Sequence, residues 1–222
     1  MLNPSSKLTR LVNRRTFSGA LALSPWAAAL MSPARAASNG VATVGQAAPD
    51  FSAVDTAGKI HKLSDFKGKL VVLEWTNPGC PFVAKHYGSS NMQGLQKEFT
   101  GKGVVWLAVN STEQGSQDYL EPGKLAGWMK EQRGEPTATL MDAPGKIGQL
   151  YGAKTTPHMY IVSPQGRLIY AGGIDSVPSA RVDDIKTATN YVRQGLGEAL
   201  GGKPISMAST RPYVCSVKYK DA

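Results

Sequence analysis

Residues 70–87, LVVLEWTNPGCPFVAKHY, run from an unbroken apolar stretch through a Pro-Gly turn to one cysteine and a helix-forming segment. Residues 70–75 are large or β-branched with almost no polar alternation, the pattern of a strand covered on both faces. Asn77, Pro78 and Gly79 end that strand, and Pro81 suits the first position of a helix, so Cys80 falls at a helix start. A thiol placed there meets unpaired backbone N–H groups and the positive end of the helix dipole, which favours thiolate. Lys85 and His86 could reinforce this, although six residues along an ideal helix is roughly 240° of rotation, so His86 need not face Cys80. The alternative is an inert, buried cysteine. The chain holds one other cysteine, Cys215, so thiol chemistry uses Cys80 alone, Cys80 with Cys215, or a partner's thiol.

Working outward, residues 51–55 and 59–63 flank a Thr-Ala-Gly turn and read as a hairpin, followed by one helical turn over 64–68. Downstream, a helix over 82–87 breaks at Gly88-Ser89-Ser90 and resumes over 91–99, with Met92, Leu95 and Phe99 on one face. Residues 104–109 form a second buried-type strand, 125–133 a helix and 137–141 a short strand. Pro144 opens a brief helix closed by Gly152. Strands over 159–162 and 167–171 are joined by a Ser-Pro-Gln-Gly turn as a hairpin, and 183–200 reads as one last helix. Alternating strands and helices with a terminal hairpin predict an α/β sandwich with a mixed sheet.

Length and composition, 222 residues with 41% hydrophobic and 8% aromatic, suit one domain with a sizeable core. Of the formal charge of +9, Lys7, Arg10, Arg14, Arg15 and Arg35 precede residue 37, where no acid occurs. The remaining surplus is small and unclustered, which argues against a nucleic-acid partner. Residues 1–36 read as an export signal: a basic stretch, a modestly apolar run over 17–31, and Ala34-Arg35-Ala36 as a cleavage site. Within it, Asn13-Arg14-Arg15-Thr16-Phe17 resembles a twin-arginine signal, with an ordinary secretory signal as the alternative. The run is too short and interrupted to span a bilayer well. The expectation is a periplasmic protein with no membrane attachment after cleavage, a redoxin domain over 37–202, and a tail over 203–222 packing on it. Disulfides can persist in that compartment.

The strand over 70–75, the Gly79-Cys80-Pro81 loop, the Thr156-Pro157 pair and the hairpin YIVSPQGRLIYAGG together resemble the thioredoxin-like redoxins, over roughly residues 45–200. The GCPFV loop with KHY after it, and a CSVKY tail, are similar to the redoxins described as alkyl hydroperoxide reductase or thiol-specific antioxidant-like. The resemblance implies a thioredoxin-like fold, a cis Pro157 against the active-site cysteine, and Thr156 and His158 near Cys80. Two departures matter. Val83 stands where a dithiol thioredoxin has its second cysteine, and Leu73 and Asn77 replace residues of the peroxiredoxin motif Pro-x-x-x-Thr-x-x-Cys.

These readings nominate Cys80, Cys215, Thr156 and Pro157 as catalytic, with Trp75, Pro81, Phe82 and His158 placed to contact a substrate. Tyr213, Cys215, Val217 and Tyr219 alternate with polar or exposed-type neighbours, so Cys215 should lie on the packed face of a half-buried strand. There it is either the thiol that resolves oxidised Cys80, within the chain or across a dimer, or a structural residue. The expected partners are protein thiols and disulfides or a peroxide, with an external thiol as reductant and no cofactor. The alternative is a binding module without turnover that handles copper through Cys80, His86 and His158 or binds a partner protein.

Overall fold

A computed structural model of the protein describes residues 40–220. The predicted export segment and its cleavage site lie outside the described residues. In chain order the elements are β1 (Ser52–Asp55), β2 (Ile60–Lys62), a 3-10 turn (Leu63–Phe66), β3 (Val71–Trp75), α1 (Pro81–Gly88), α2 (Asn91–Thr100) and β4 (Val105–Asn110). There follow α3 (Pro122–Glu131), β5 (Ala138–Met141), α4 (Lys146–Tyr151), β6 (Thr155–Thr156), β7 (His158–Val162), β8 (Leu168–Gly172), a 3-10 turn (Val182–Lys186), α5 (Tyr191–Leu200) and β9 (Cys215–Ser216).

The main sheet has seven strands in the order β2-β1-β5-β4-β3-β7-β8. β3, β4 and β5 run parallel, and the other pairings are antiparallel, so the sheet is mixed as predicted. Because side chains alternate along a strand, the apolar runs of β3 and β4 feed two cores at once. Val71, Leu73, Trp75 and Leu107 pack with Tyr151 and Tyr160 on one face. Val72, Trp106, Ala108 and Met159 pack with Cys80, Val83, Tyr87, Leu95 and Leu196 on the other. Cys80 is therefore rooted in the layer formed with α1, α2 and α5.

One acid breaks the apolar run. Glu74 is fully buried on the α1 side, where its carboxyl accepts from Tyr87 Oη at 2.8 Å, Trp106 Nε1 at 2.7 Å and Gln96 Nε2 at 3.1 Å. Three donors from α1, α2 and β4 thus converge on β3, meeting the requirement that a buried polar group be hydrogen-bonded. Burial pushes the carboxyl above the usual glutamate value, against the lowering effect of those bonds.

The predicted last helix is shorter than its apolar spacing suggested. Residues 182–186 form a 3-10 turn, and α5 starts only at Tyr191, where the Asn190 side chain accepts from Arg193 N at 2.8 Å. Asparagine at this position competes for the backbone as an N-cap and sets the boundary. The break between α1 and α2 falls where Gly88-Ser89-Ser90 placed it, with Ser90 in the left-handed region at φ 61°.

Candidate functional site

The turn that presents Cys80 is built from its own sequence. Asn77 Oδ1 accepts from Gly79 N at 2.9 Å, and the Asn77 carbonyl accepts from Cys80 N at 3.0 Å, an Asx-type turn that aims the chain into α1. At Gly79 a Cβ would sit 2.8 Å from Asp118 Oδ1, so the turn passes close under that carboxylate. Cys80 is the N-cap of α1 and Pro81 occupies the first turn. The Cys80 thiol donates to the Thr156 carbonyl at 3.1 Å, and the Thr156–Pro157 peptide is cis. This joins the two loops that the resemblance placed together.

The tail supplies the second sulfur. β9 pairs antiparallel with β6, placing Cys215 opposite Thr156, and Cys215 packs against the core cluster that holds Cys80, near enough for the two thiols to perturb each other. Both cysteines are free. Cys80 is 1% exposed, whereas Cys215 is only half-buried. Burial pushes the Cys215 thiol up to about 11, and the neighbouring Cys80 thiol adds to the rise.

The tail is seated by a buried polar cluster on the flank of α1. Tyr213, two residues before Cys215, donates through its hydroxyl to the Asp175 carboxylate. Lys85 Nζ lies 3.9 Å and His86 Nε2 3.7 Å from Asp175 Oδ2, and Lys85 also donates to the Val177 carbonyl at 3.2 Å. Asn91 Nδ2 donates to His86 Nδ1 at 2.8 Å, which leaves the proton on Nε2, facing Tyr213 Oη at 3.3 Å. Burial, aided by the Lys85 charge, lowers His86 to about 3, so the ring is neutral. Lys85 and His86 therefore serve the tail, and no hydrogen bond joins either to Cys80.

The other nominated residues separate. Phe82 packs edge-on against Tyr213 with ring centroids 5.2 Å apart, and Pro81 is exposed at the mouth of the site. Trp75 departs from the expectation of substrate contact: its ring is wholly buried in the opposite core, and its Nε1 donates to Ser111 Oγ at 3.0 Å. Strand parity is the cause, since Trp75 points to the face that Cys80 does not share. His158 likewise turns to Tyr160, with Nδ1 3.1 Å from the tyrosine hydroxyl, and burial lowers it to about 4. Cys80, His86 and His158, the alternative copper ligands, are thus bound to different neighbours. Among the described residues no three His, Cys, Asp or Glu side chains gather as metal ligands.

Glu74 and Asp175 were missed by motif reading. A lone acid inside LVVLEW was a visible sign of a buried, hydrogen-bonded carboxyl, whereas Asp175 sits in a loop with no local signal.

The thiol-disulfide oxidoreductase ResA of Bacillus subtilis is 29% identical over 127 residues, which is 56% of this chain and 64% of the relative. The match thus spans just under two thirds of that protein's length. A hypothetical protein from Sinorhizobium meliloti superposes with a TM-score of 0.71 at 23% identity, covering 82% of this chain and 98% of the other. An uncharacterized conserved protein from Geobacillus kaustophilus gives a TM-score of 0.67 at 25% identity, covering 81% and 94%. The sequence profile of the AhpC/TSA family matches residues 44–171, more than half of the chain, and the protein belongs to that family of thioredoxin-like redoxins.

Proposed function

We propose that the protein is a thiol-disulfide oxidoreductase that cycles between a Cys80/Cys215 dithiol and a Cys80–Cys215 disulfide, exchanging electrons with the thiols and disulfides of partner proteins. The observation that carries this reading is the pair itself: a second sulfur, brought by β9 to the position opposite Thr156, stands beside the cysteine that lacks a Cys-x-x-Cys partner. In the reducing direction the dithiol loses two electrons and two protons, and a partner disulfide becomes two thiols. The likeness to ResA supports disulfide exchange. Residues 1–36 support export to a compartment where the disulfide form can persist.

A peroxidase reading finds less support. Asn77, at the motif's threonine position, has no hydroxyl and its side chain is committed to Gly79 N and Asp118, while Leu73, at the proline position, packs in the core opposite Cys80.

The test is to equilibrate the full chain in glutathione buffers of graded redox poise, block free thiols by alkylation and read the mass. The expected result is one cooperative step from two free thiols to none, with an intramolecular disulfide that Cys80→Ser and Cys215→Ser each abolish. Two free thiols persisting in excess glutathione disulfide would overturn the reading.

A further inference from the structure

Resting on this reading of the pair, we infer that a partner's sulfur joins Cys215 rather than Cys80, so that the tail carries the partner-facing thiol and Cys80 is the internal, resolving one. This exchanges the roles that position at a helix N-terminus would suggest.

Access is the first argument. Cys80 is 1% exposed, under a tail that carries the half-buried Cys215 above it. A partner could reach Cys80 first only if that tail lifted, and the tail is fastened on both sides of Cys215. On the near side, Tyr213 is 1% exposed and bonded to Asp175, and the chain before it lies so close to the end of β8 that a Cβ on Gly173 would meet the Arg211 carbonyl oxygen at 2.8 Å. On the far side, Val217 is 4% exposed and its N–H donates to the Lys154 carbonyl at 3.0 Å, while Tyr219 Oη donates to the Ala153 carbonyl at 2.7 Å. Lifting the tail breaks these contacts together. Attack at Cys215 breaks none.

Chemistry points the same way. Disulfide exchange goes faster when the displaced sulfur better carries negative charge. In the oxidised form a partner thiolate attacks Cys215 Sγ, a partner–Cys215 bond forms and the Cys80–Cys215 bond breaks. The electron pair passes to Cys80, the N-cap residue of α1, where the positive end of the helix dipole favours an anion. Cys80 then takes up a proton and regains its bond to the Thr156 carbonyl. The partner's second thiolate attacks the partner sulfur of the mixed disulfide, closing the partner's own disulfide and releasing Cys215, which is protonated in turn. The partner loses two electrons and the Cys80–Cys215 pair gains them. Reversal of the same steps reduces a partner disulfide, with the mixed disulfide again on Cys215.

The probe is glutathione. Full-length Cys80→Ser and Cys215→Ser chains are incubated with glutathione disulfide, quenched in acid and read by intact mass, with circular dichroism to confirm folding. Rates are compared at about pH 10, where more of the raised Cys215 thiol is ionised, and Cys80→Ser is expected to take up one glutathione about tenfold faster, or more, than Cys215→Ser, because Cys215 is the more exposed sulfur. As a measurement free of variants, the oxidised wild-type chain is mixed with reduced glutathione, quenched within seconds and mapped by peptide, with the adduct expected on Cys215. An adduct on Cys80, or on neither cysteine, overturns the inference while leaving the proposed function standing, provided the wild-type chain forms its internal disulfide. Failure to form that disulfide removes the proposed function itself.

Discussion

Cys80 and Cys215 end within reach of each other, yet the chain brings them there over very different distances. Cys80 is set by a short route: β3 stops at Trp75, Asn77 folds the turn through its carbonyl and side chain, and α1 begins at Pro81. Cys215 arrives by a long one, with the tail threaded past Gly172 and Gly173, tied by Tyr213 to Asp175 and paired with Thr156. The first route closes a loop of a few residues. The second must order a strap through contacts far apart in sequence, at a greater loss of chain entropy. The Cys80 half should therefore tolerate change nearby, and the Cys215 half should be dislodged by changes at positions remote from it.

The sharpest way to break this contrast is Asp175→Asn. The Asp175 carboxylate faces Lys85, whose side chain has no exposure, and it also accepts from Tyr213. An amide leaves the ammonium buried without a counter-charge, which costs about 3–5 kcal/mol. Urea denaturation should show that loss, and Cys215 should alkylate faster in the native state as its tail loosens. A wild-type midpoint with unchanged Cys215 reactivity would mean the tail is seated without this pair.

A matched pair of glycines gives the next largest effect. At Gly172 a Cβ would lie 2.6 Å from the Thr210 carbonyl oxygen, a backbone atom that cannot rotate away, so Gly172→Ala must displace the tail. Overpacking of this kind costs about 1–3 kcal/mol. At Gly79 the obstruction is the Asp118 carboxylate, the far end of a side chain that can swing aside, so Gly79→Ala should cost less than about 1 kcal/mol. Comparing urea midpoints tests the ranking, and equal losses at the two glycines would erase the distinction between the routes.

The same contrast explains how much was legible beforehand. The strand, turn and helix around Cys80 could be read from residues 70–87, because apolar runs, Pro-Gly turns and N-terminal prolines act locally. The alternation in YVCSVKY marked Tyr213 and Val217 as buried, and both are. What could not be read is which groups they meet. Asp175 lies 38 residues before Tyr213, and nothing in a one-dimensional pattern pairs them. Helical rotation left His86 free to face away from Cys80, but only the fold shows that it and Lys85 meet Asp175. Trp75 was misjudged through nearness in sequence, since parity along β3 turns it away from the thiol. The last helix was overextended because apolar spacing alone does not register an asparagine N-cap.

Glu74→Gln carries the smallest expected effect and sets a second buried carboxyl against Asp175. Among the described residues no cation is paired with Glu74. Its neighbours are three neutral donors, and burial raises its pKa above 4.5. A glutamine oxygen can take the bonds from Trp106 and Gln96, and its NH2 can donate to the Tyr87 oxygen, so the exchange should stay within about 1 kcal/mol at acid pH. The sign of the pH dependence follows from the raised value. The carboxyl's contribution to stability is complete below the unfolded value near 4.5 and is lost as pH rises through the higher folded value, because the unfolded chain then releases the proton more readily. Glutamine does not titrate, so the variant should match wild type at pH 4 and exceed it at pH 8. Asp175→Asn should instead be destabilising at pH 8, where Lys85 loses its counter-charge. Urea midpoints at the two pH values separate the cases. An equal offset of Glu74→Gln from wild type at pH 4 and pH 8 would show that burial does not govern this carboxyl.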